Sequence, residues 1–243
     1  MPAHAFWLGT VGYLEAAALQ HALVAQRIAG AIPDTFLFLE HPPVITLGRA
    51  SHAENLRAPE AVLAERGVEV YETTRGGDVT YHGPGQLVGY GIVDLTQHGR
   101  DVALYLRRLE DALIALLAGY GLTGTRHPAY TGVWLGREKV CAMGVRVERW
   151  VTSHGFALNV GTDLSGFDLI VPCGIQGYGV TSLARATGRA IAVPDVIADT
   201  STALAGTFGW RVETGDPAAL ARPAGVPERM LGGVRRVFPA TGE

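Results

Sequence analysis

Lysine is almost absent from this 243-residue chain: of its 20 basic residues, 19 are Arg and one is Lys139. Proteins ordinarily use both freely, so Arg serves here wherever positive charge alone is wanted. Cysteine is nearly as scarce. Two residues, Cys141 and Cys173, cannot make a disulfide framework and read as reduced thiols. No apolar run approaches the roughly 18 residues of a membrane helix, so no membrane association is expected. The stretch Met1–Thr10 lacks a basic region followed by an apolar run, so no secretory signal is expected and the predicted location is cytoplasmic. A net charge of −3 leaves no electrostatic footprint for nucleic acid. No C-x-x-C or H-E-x-x-H spacing exists, so no metal is expected. No G-x-G-x-x-G follows a strand and no P-loop is present, so ATP and dinucleotide sites lack their usual signatures.

What remains is a foldable globular composition, 48% hydrophobic and 18% charged, with 32 glycines. Apolar periodicity predicts helices over Tyr13–Ala29, Pro59–Arg66, Val102–Gly119 (capped by Asp101) and Val196–Thr207. Strands are predicted at Thr35–Glu40, resumed at Val44–Leu47 after Pro42-Pro43, then at Val68–Thr73, Leu87–Leu95, Tyr130–Leu135, Lys139–Glu148 and Val151–Val160. Adjacent hairpins mixed with helical connections predict an α+β (α/β) fold, with a mixed, mostly antiparallel sheet and packed helices. Residues 1–215 are expected to form a single catalytic domain. Residues 216–243, rich in Pro, Gly and Arg, are expected to be a peripheral, mobile tail.

Three segments carry chemistry. The first, Arg75–Gln86, packs four Gly with an Arg, an Asp and a His, so that backbone N–H groups can approach a ligand closely. The second is Lys139–Val145. As a strand it puts Lys139, Cys141, Met143 and Val145 on one face, and a Lys leading an apolar face is a proton acceptor that Arg could not replace. The third is Ile170–Leu183, where Cys173 sits in a Pro-Cys-Gly turn beside backbone N–H groups suited to an oxyanion. A thiolate beside an ammonium is an activated nucleophile. Cys173 with Lys139 is the favoured pair; Cys141 with Lys139 is the rival, hemmed in by Val140 and Ala142. These residues point to acyl transfer through a Cys nucleophile and do not separate a hydrolase from a transferase.

The same segments resemble the lipoyl(octanoyl) transferase family, from about Leu8 to Phe208. The resemblance lies in Glu40-His41-Pro42-Pro43 with Thr46–Arg49, Arg75–Gly77 with Thr80–Gln86, Lys139 with Ala142–Gly144, His154–Val160, and Pro172–Ile175 with Val180–Leu183. It implies the fold of the biotin/lipoate protein ligase catalytic domain. It implies that octanoyl arrives as a thioester on acyl carrier protein, passes to Cys173 as an acyl-enzyme, and ends as an amide on a lysine of a lipoyl domain. The acceptors would be 2-oxoacid dehydrogenase complexes and the glycine cleavage H protein, in the first step of endogenous lipoate biosynthesis. Lys139 would lower the pKa of Cys173 and move protons. Arg75, Gly76, Gly77, Asp78, Val79, Thr80, Tyr81 and His82 would line the substrate site, with Ala142, Met143, Gly144, Gly155, Phe156 and Ala157. Short side chains there would leave room for an acyl chain, each buried methylene contributing about 0.8 kcal/mol. No cofactor is implied. A lipoate–protein ligase shares fold and acceptor but uses ATP and lacks the Pro-Cys-Gly nucleophile. A biotin ligase would need a G-R-G-R-x-G loop, and a non-catalytic copy would have lost Cys173 or Lys139. Since acyl carrier proteins are acidic, Arg146, Arg149 and Arg185 are expected on the rim.

Overall fold

The computed structural model describes residues 1–171, 177–220 and 233–238. The chain opens with β1 (Pro2–Thr10), crosses over through α1 (Tyr13–Ile28) and returns as β2 (Asp34–Glu40), parallel to β1. The break at Pro42-Pro43 does more than interrupt a strand. It moves the chain out of one sheet and into another, where β3 (Val44–Leu47) pairs with β4 (Glu69–Glu72) and β5 (Val79–His82), with α2 (Glu60–Glu65) between them in sequence. Proline supplies no N–H to a ladder, so the first sheet cannot continue through it.

The chain then re-enters the first sheet as β6 (Gln86–Ile92), antiparallel to β2. Next comes α3 (Val102–Gly119), whose N-terminus is capped by the Asp101 carboxylate accepting from the Leu104 N–H at 3.0 Å. The meander β7 (Thr125–Arg126), β8 (Val133–Leu135), β9 (Glu138–Glu148) and β10 (Val151–Asn159) follows, closing on β6. A short β11 (Gly179–Val180) runs parallel to the start of β9. The helices α4 (Leu183–Thr187) and α5 (Val193–Phe208) precede β12 (Arg211–Thr214), which joins the far edge beside β1. Residues 233–238 return to the second sheet, where β13 (Arg235–Arg236) pairs with β4 and Val234 is buried.

Among the described residues the result is a nine-stranded mixed sheet and a four-stranded one. Two clusters cover the large sheet: α3 and α5 pack on one face around Tyr105, Leu109, Leu113 and Leu204, and α1 on the other around Leu19, Leu23 and Leu37. A third, built from Ile45, Leu63, Val70, Val79, Tyr81 and Phe167, holds the small sheet together. No helix of the described residues is long and apolar enough to cross a membrane. The expected helices and central strands occur within a few residues of their predicted ends. The strands β1, β5 and β12 were not foreseen. In β5 the reason is local: it lies inside the Gly-rich segment, where glycine reads as loop, yet Val79 is fully buried.

One buried ion cluster ties the two ends of β2 and β6 together. Asp34 accepts from Arg27 Nε at 2.9 Å and from the Asp94 N–H at 2.9 Å, and its other oxygen lies 2.8 Å from His98 Nε2. Removing the carboxylate leaves the buried Arg27 guanidinium only its longer, 3.4 Å contact with Asp94, and takes the His98 partner away. Asp34→Ala is therefore expected to lower stability by about 3–5 kcal/mol, read as a shift of the urea midpoint with unchanged slope.

Candidate active site

A groove runs between the face of the large sheet and the small sheet, with an empty volume of about 480 Å³. Its walls include Arg75, Gly77, Asp78, Val79, Thr80 and His82 from the Gly-rich segment. Ala142, Met143 and Gly144 of β9 and Gly155, Phe156 and Ala157 of β10 complete it. Twelve of the fourteen residues named as substrate-lining thus meet in one place, although they come from three stretches of sequence. The other two have different work. Gly76 donates its N–H to the Val145 carbonyl at 2.9 Å, and a Cβ on Gly144 would run into the Gly76 carbonyl oxygen. This close backbone contact clamps the Gly-rich segment onto β9. Tyr81 points the opposite way, its ring 5.5 Å from that of Phe167 and packed where a Cβ on Gly83 or Gly166 would clash.

Arg75 is buried and grips the small sheet, donating from Nε to Thr46 Oγ1 at 3.1 Å and from Nη2 to the Thr46 carbonyl at 2.6 Å. Asp78 orders its own loop: Oδ1 accepts from the Val79 N–H at 2.7 Å and Oδ2 from Asn55 Nδ2 at 2.6 Å. Asn55 in turn accepts the Val171 N–H at 2.8 Å.

Lys139 lies at the start of β9 and is only 7% exposed. Its Nζ stands 4.9 Å from the ring centroid of Trp134, its register partner on β8, a cation–π arrangement. Cys141, two residues along, is fully buried, and burial pushes its thiol far above the ordinary cysteine range. A thiol held protonated and out of reach is a poor nucleophile, so the rival pairing of Cys141 with Lys139 has lost its physical basis. Cys173 lies outside the described residues. The chain on either side of it is tied to the groove, through Val171 to Asn55 and through the Thr181 N–H to the Lys139 carbonyl at 3.0 Å.

Residues 12–205 match the family model described as Lipoyl protein ligase A/B catalytic domain. The chain belongs to this family. An octanoyltransferase of Rubrobacter xylanophilus is 54% identical over 211 residues, covering 86% of this chain and 92% of the relative. One of Chloroflexus aggregans is 51% identical over 209 residues, 85% of this chain and 95% of the relative. At that level the chain sits among the family's octanoyltransferases, as the resemblance of its motifs implied. Two solved structures share the fold at low identity. A lipoate-protein ligase A bound with ATP superposes at a TM-score of 0.72 with 16% identity, covering 96% of this chain and 99% of that one. The bi-partite lipoate protein ligase of Thermoplasma acidophilum superposes at 0.71 with 17% identity, covering 97% and 98%. The expected biotin/lipoate ligase catalytic fold is therefore the one found.

In this octanoyltransferase relative the groove also contains three residues that sequence reading did not nominate: Tyr13, Tyr90 and His154. Tyr13 had been read only as the start of a helix, and nothing in the sequence places that helix end at the groove. His154 opens the His154–Val160 motif, but its left-handed backbone (φ 58°) depends on tertiary packing, with its N–H donated to Gln20 Oε1 at 2.7 Å. A buried hydrogen-bond chain orients the rest. His41 Nδ1–H donates to the Val11 carbonyl at 2.6 Å, leaving Nε2 to accept from the Tyr90 hydroxyl at 2.7 Å. Gln86 Nε2 donates to Asn159 Oδ1 at 2.9 Å and to the Tyr81 carbonyl at 3.1 Å. Its Oε1 is then left to accept from His82 Nδ1–H at 2.7 Å. Burial holds all three imidazoles neutral, pulling His41 down to about 4 and His82 and His154 down to about 3.

Proposed function

We propose that this protein transfers octanoyl from octanoyl-acyl carrier protein to a lysine of lipoyl domains, by way of a thioester on Cys173, in the cytoplasm. The acceptors are the lipoyl domains of 2-oxoacid dehydrogenase complexes and the glycine cleavage H protein. The observation that carries the reading is the anchoring of Val171 and Thr181, the described residues that flank Cys173 in sequence. The chain on one side of it is held through Asn55 to Asp78, a wall residue, and on the other to the backbone of buried Lys139. The octanoyltransferase relatives at about half identity support the same reading.

The steps balance as follows. The Cys173 thiolate attacks the donor carbonyl carbon, and the carbon–sulfur bond to the carrier breaks. The carrier leaves as a thiol, taking a proton from the Lys139 ammonium. The amine of the acceptor lysine then attacks the Cys173 thioester. It gives a proton back to Lys139 as the amide forms, and Cys173 leaves as thiolate. A thioester is already an activated acyl group, so the reaction needs neither ATP nor a metal. The acyl chain lies along β9 and β10, where the side chains of Ala142 and Ala157 are short and Met143 and Phe156 supply apolar wall.

The deciding experiment is mass spectrometry of the protein after incubation with octanoyl-acyl carrier protein and no ATP. An octanoyl adduct is expected on Cys173, discharged by adding a lipoyl domain and missing in Cys173→Ser. An adduct on Cys141, or turnover only with ATP, would overturn the reading.

A further inference from the structure

Beside Lys139, whose ammonium lies over Trp134, four rings stand in mutual contact, from the loop before β8, from β8 and from the residue preceding β11. His127, Trp134 and Tyr178 have centroids 5.1–5.3 Å apart, and Tyr130 stacks on His127 at 4.8 Å. Tyr130 and Tyr178 are exposed, two of the five large hydrophobic residues that the described residues leave in water. Arg137, in the β8–β9 turn, lies over the outer face of Tyr178, its guanidinium carbon 5.2 Å from the ring centroid.

Two of the arginines expected on the rim have carboxylate partners. Arg146 meets Glu148 at 2.8 Å and Arg185 approaches Glu138 at 3.9 Å. Arg137 is exposed, its guanidinium donates to the neutral Gly177 carbonyl at 3.0 Å, and its own carbonyl accepts the Gly179 N–H at 3.2 Å. The exposed face thus presents the Arg137 guanidinium on an aromatic platform. Aromatic rings with an Arg at the centre of an exposed patch are the composition of a protein-binding hot spot, and the charge calls for an acidic partner.

The geometry points to Arg137, Tyr178 and Tyr130 as the docking surface for the acidic protein that carries the acyl thioester, as distinct from the acceptor domain. This rests on the donor reading proposed above. It transfers the electrostatic role from Arg146, Arg149 and Arg185 to a residue that sequence reading passed over.

The test compares two donors, octanoyl-acyl carrier protein and the small neutral thioester octanoyl-N-acetylcysteamine. Arg137→Glu and Tyr178→Ala are expected to raise KM for the carrier-borne donor by about tenfold or more and to flatten its salt dependence. Tyr178→Phe, which keeps the ring, should stay near wild type. Acylation by the small thioester and discharge to a lipoyl domain should stay within about twofold in every variant. If both donors slow together, Arg137 merely holds the Gly177 backbone and the proposal falls. If the carrier-borne donor is unaffected while KM for the lipoyl domain rises, the surface belongs to the acceptor and the proposal again falls. Wild-type protein that takes octanoyl from neither donor would instead sink the underlying octanoyl-transfer reading.

Discussion

Lys139→Arg is expected to abolish octanoyl transfer as completely as Lys139→Ala, with kcat down by about a hundredfold or more. The prediction runs against ordinary substitution logic, since this chain has Arg at every one of its other 19 basic positions. Charge is retained in the variant, and so is the capacity to sit over the Trp134 ring. What is lost is the exchangeable proton. A guanidinium neither donates to the departing carrier thiol nor accepts from the attacking amine. Lys139 is also buried, paired with Trp134 of β8 and Val180 of β11 and with its own carbonyl pinned by Thr181, so a bulkier guanidinium fits less well. The check is the rate of adduct formation on Cys173 and the rate of its discharge, measured separately. An Arg variant that forms and discharges the adduct at near wild-type rates would reduce Lys139 to an electrostatic role.

Acid sensitivity is the second large effect. The three imidazoles of the groove are held neutral in the folded protein, at about 4 for His41 and about 3 for His82 and His154. In the unfolded chain each would titrate near 6.5. Below that value the unfolded chain binds protons that the folded one refuses, so stability is full above about pH 7 and falls as pH drops toward the folded values. At pH 5 each histidine weakens the folded state by about 2 kcal/mol relative to pH 7, at 1.36 kcal/mol per unit. The sum over three is of the order of the whole stability of a typical domain. Urea unfolding across pH 5–7.5 should therefore show ΔG falling steeply with acid, and His41→Gln should flatten the slope by close to one proton. A ΔG that stays level over that range would mean that these rings are protonated in the folded state. Activity should follow the folded fraction over this window, since His82 and His154 stay neutral in the groove wall of the folded protein.

How far the site was legible can be argued from particular residues. Lys139, Arg75, His82 and the small residues of β9 and β10 were legible because their types are chemically unusual for their places: one Lys in an Arg-rich chain, and glycines on strands. Tyr13, Tyr90 and Arg137 were not, because a tyrosine opening a helix or an arginine in a turn looks the same whether it faces a groove or bulk water. Tyr81 failed in the other direction. It lies within the right motif, yet strand alternation turns it into the small-sheet core, while Val79, Thr80 and His82 reach the groove.

By itself the sequence determined the helices with a regular apolar period, the hairpins, the fold class, and which side chains could carry acyl-transfer chemistry. Those properties depend on local pattern and on residue type. Tertiary structure decided which of the two cysteines was chemically excluded, because only packing could show that Cys141 is sealed off and held as a thiol. It decided that Pro42-Pro43 divides two sheets, and that the groove lies between them. It decided the neutrality of three histidines and the position of an exposed Arg137 over the Tyr178 ring. Burial and charge separation arise from residues far apart in the chain, so no local reading could supply them.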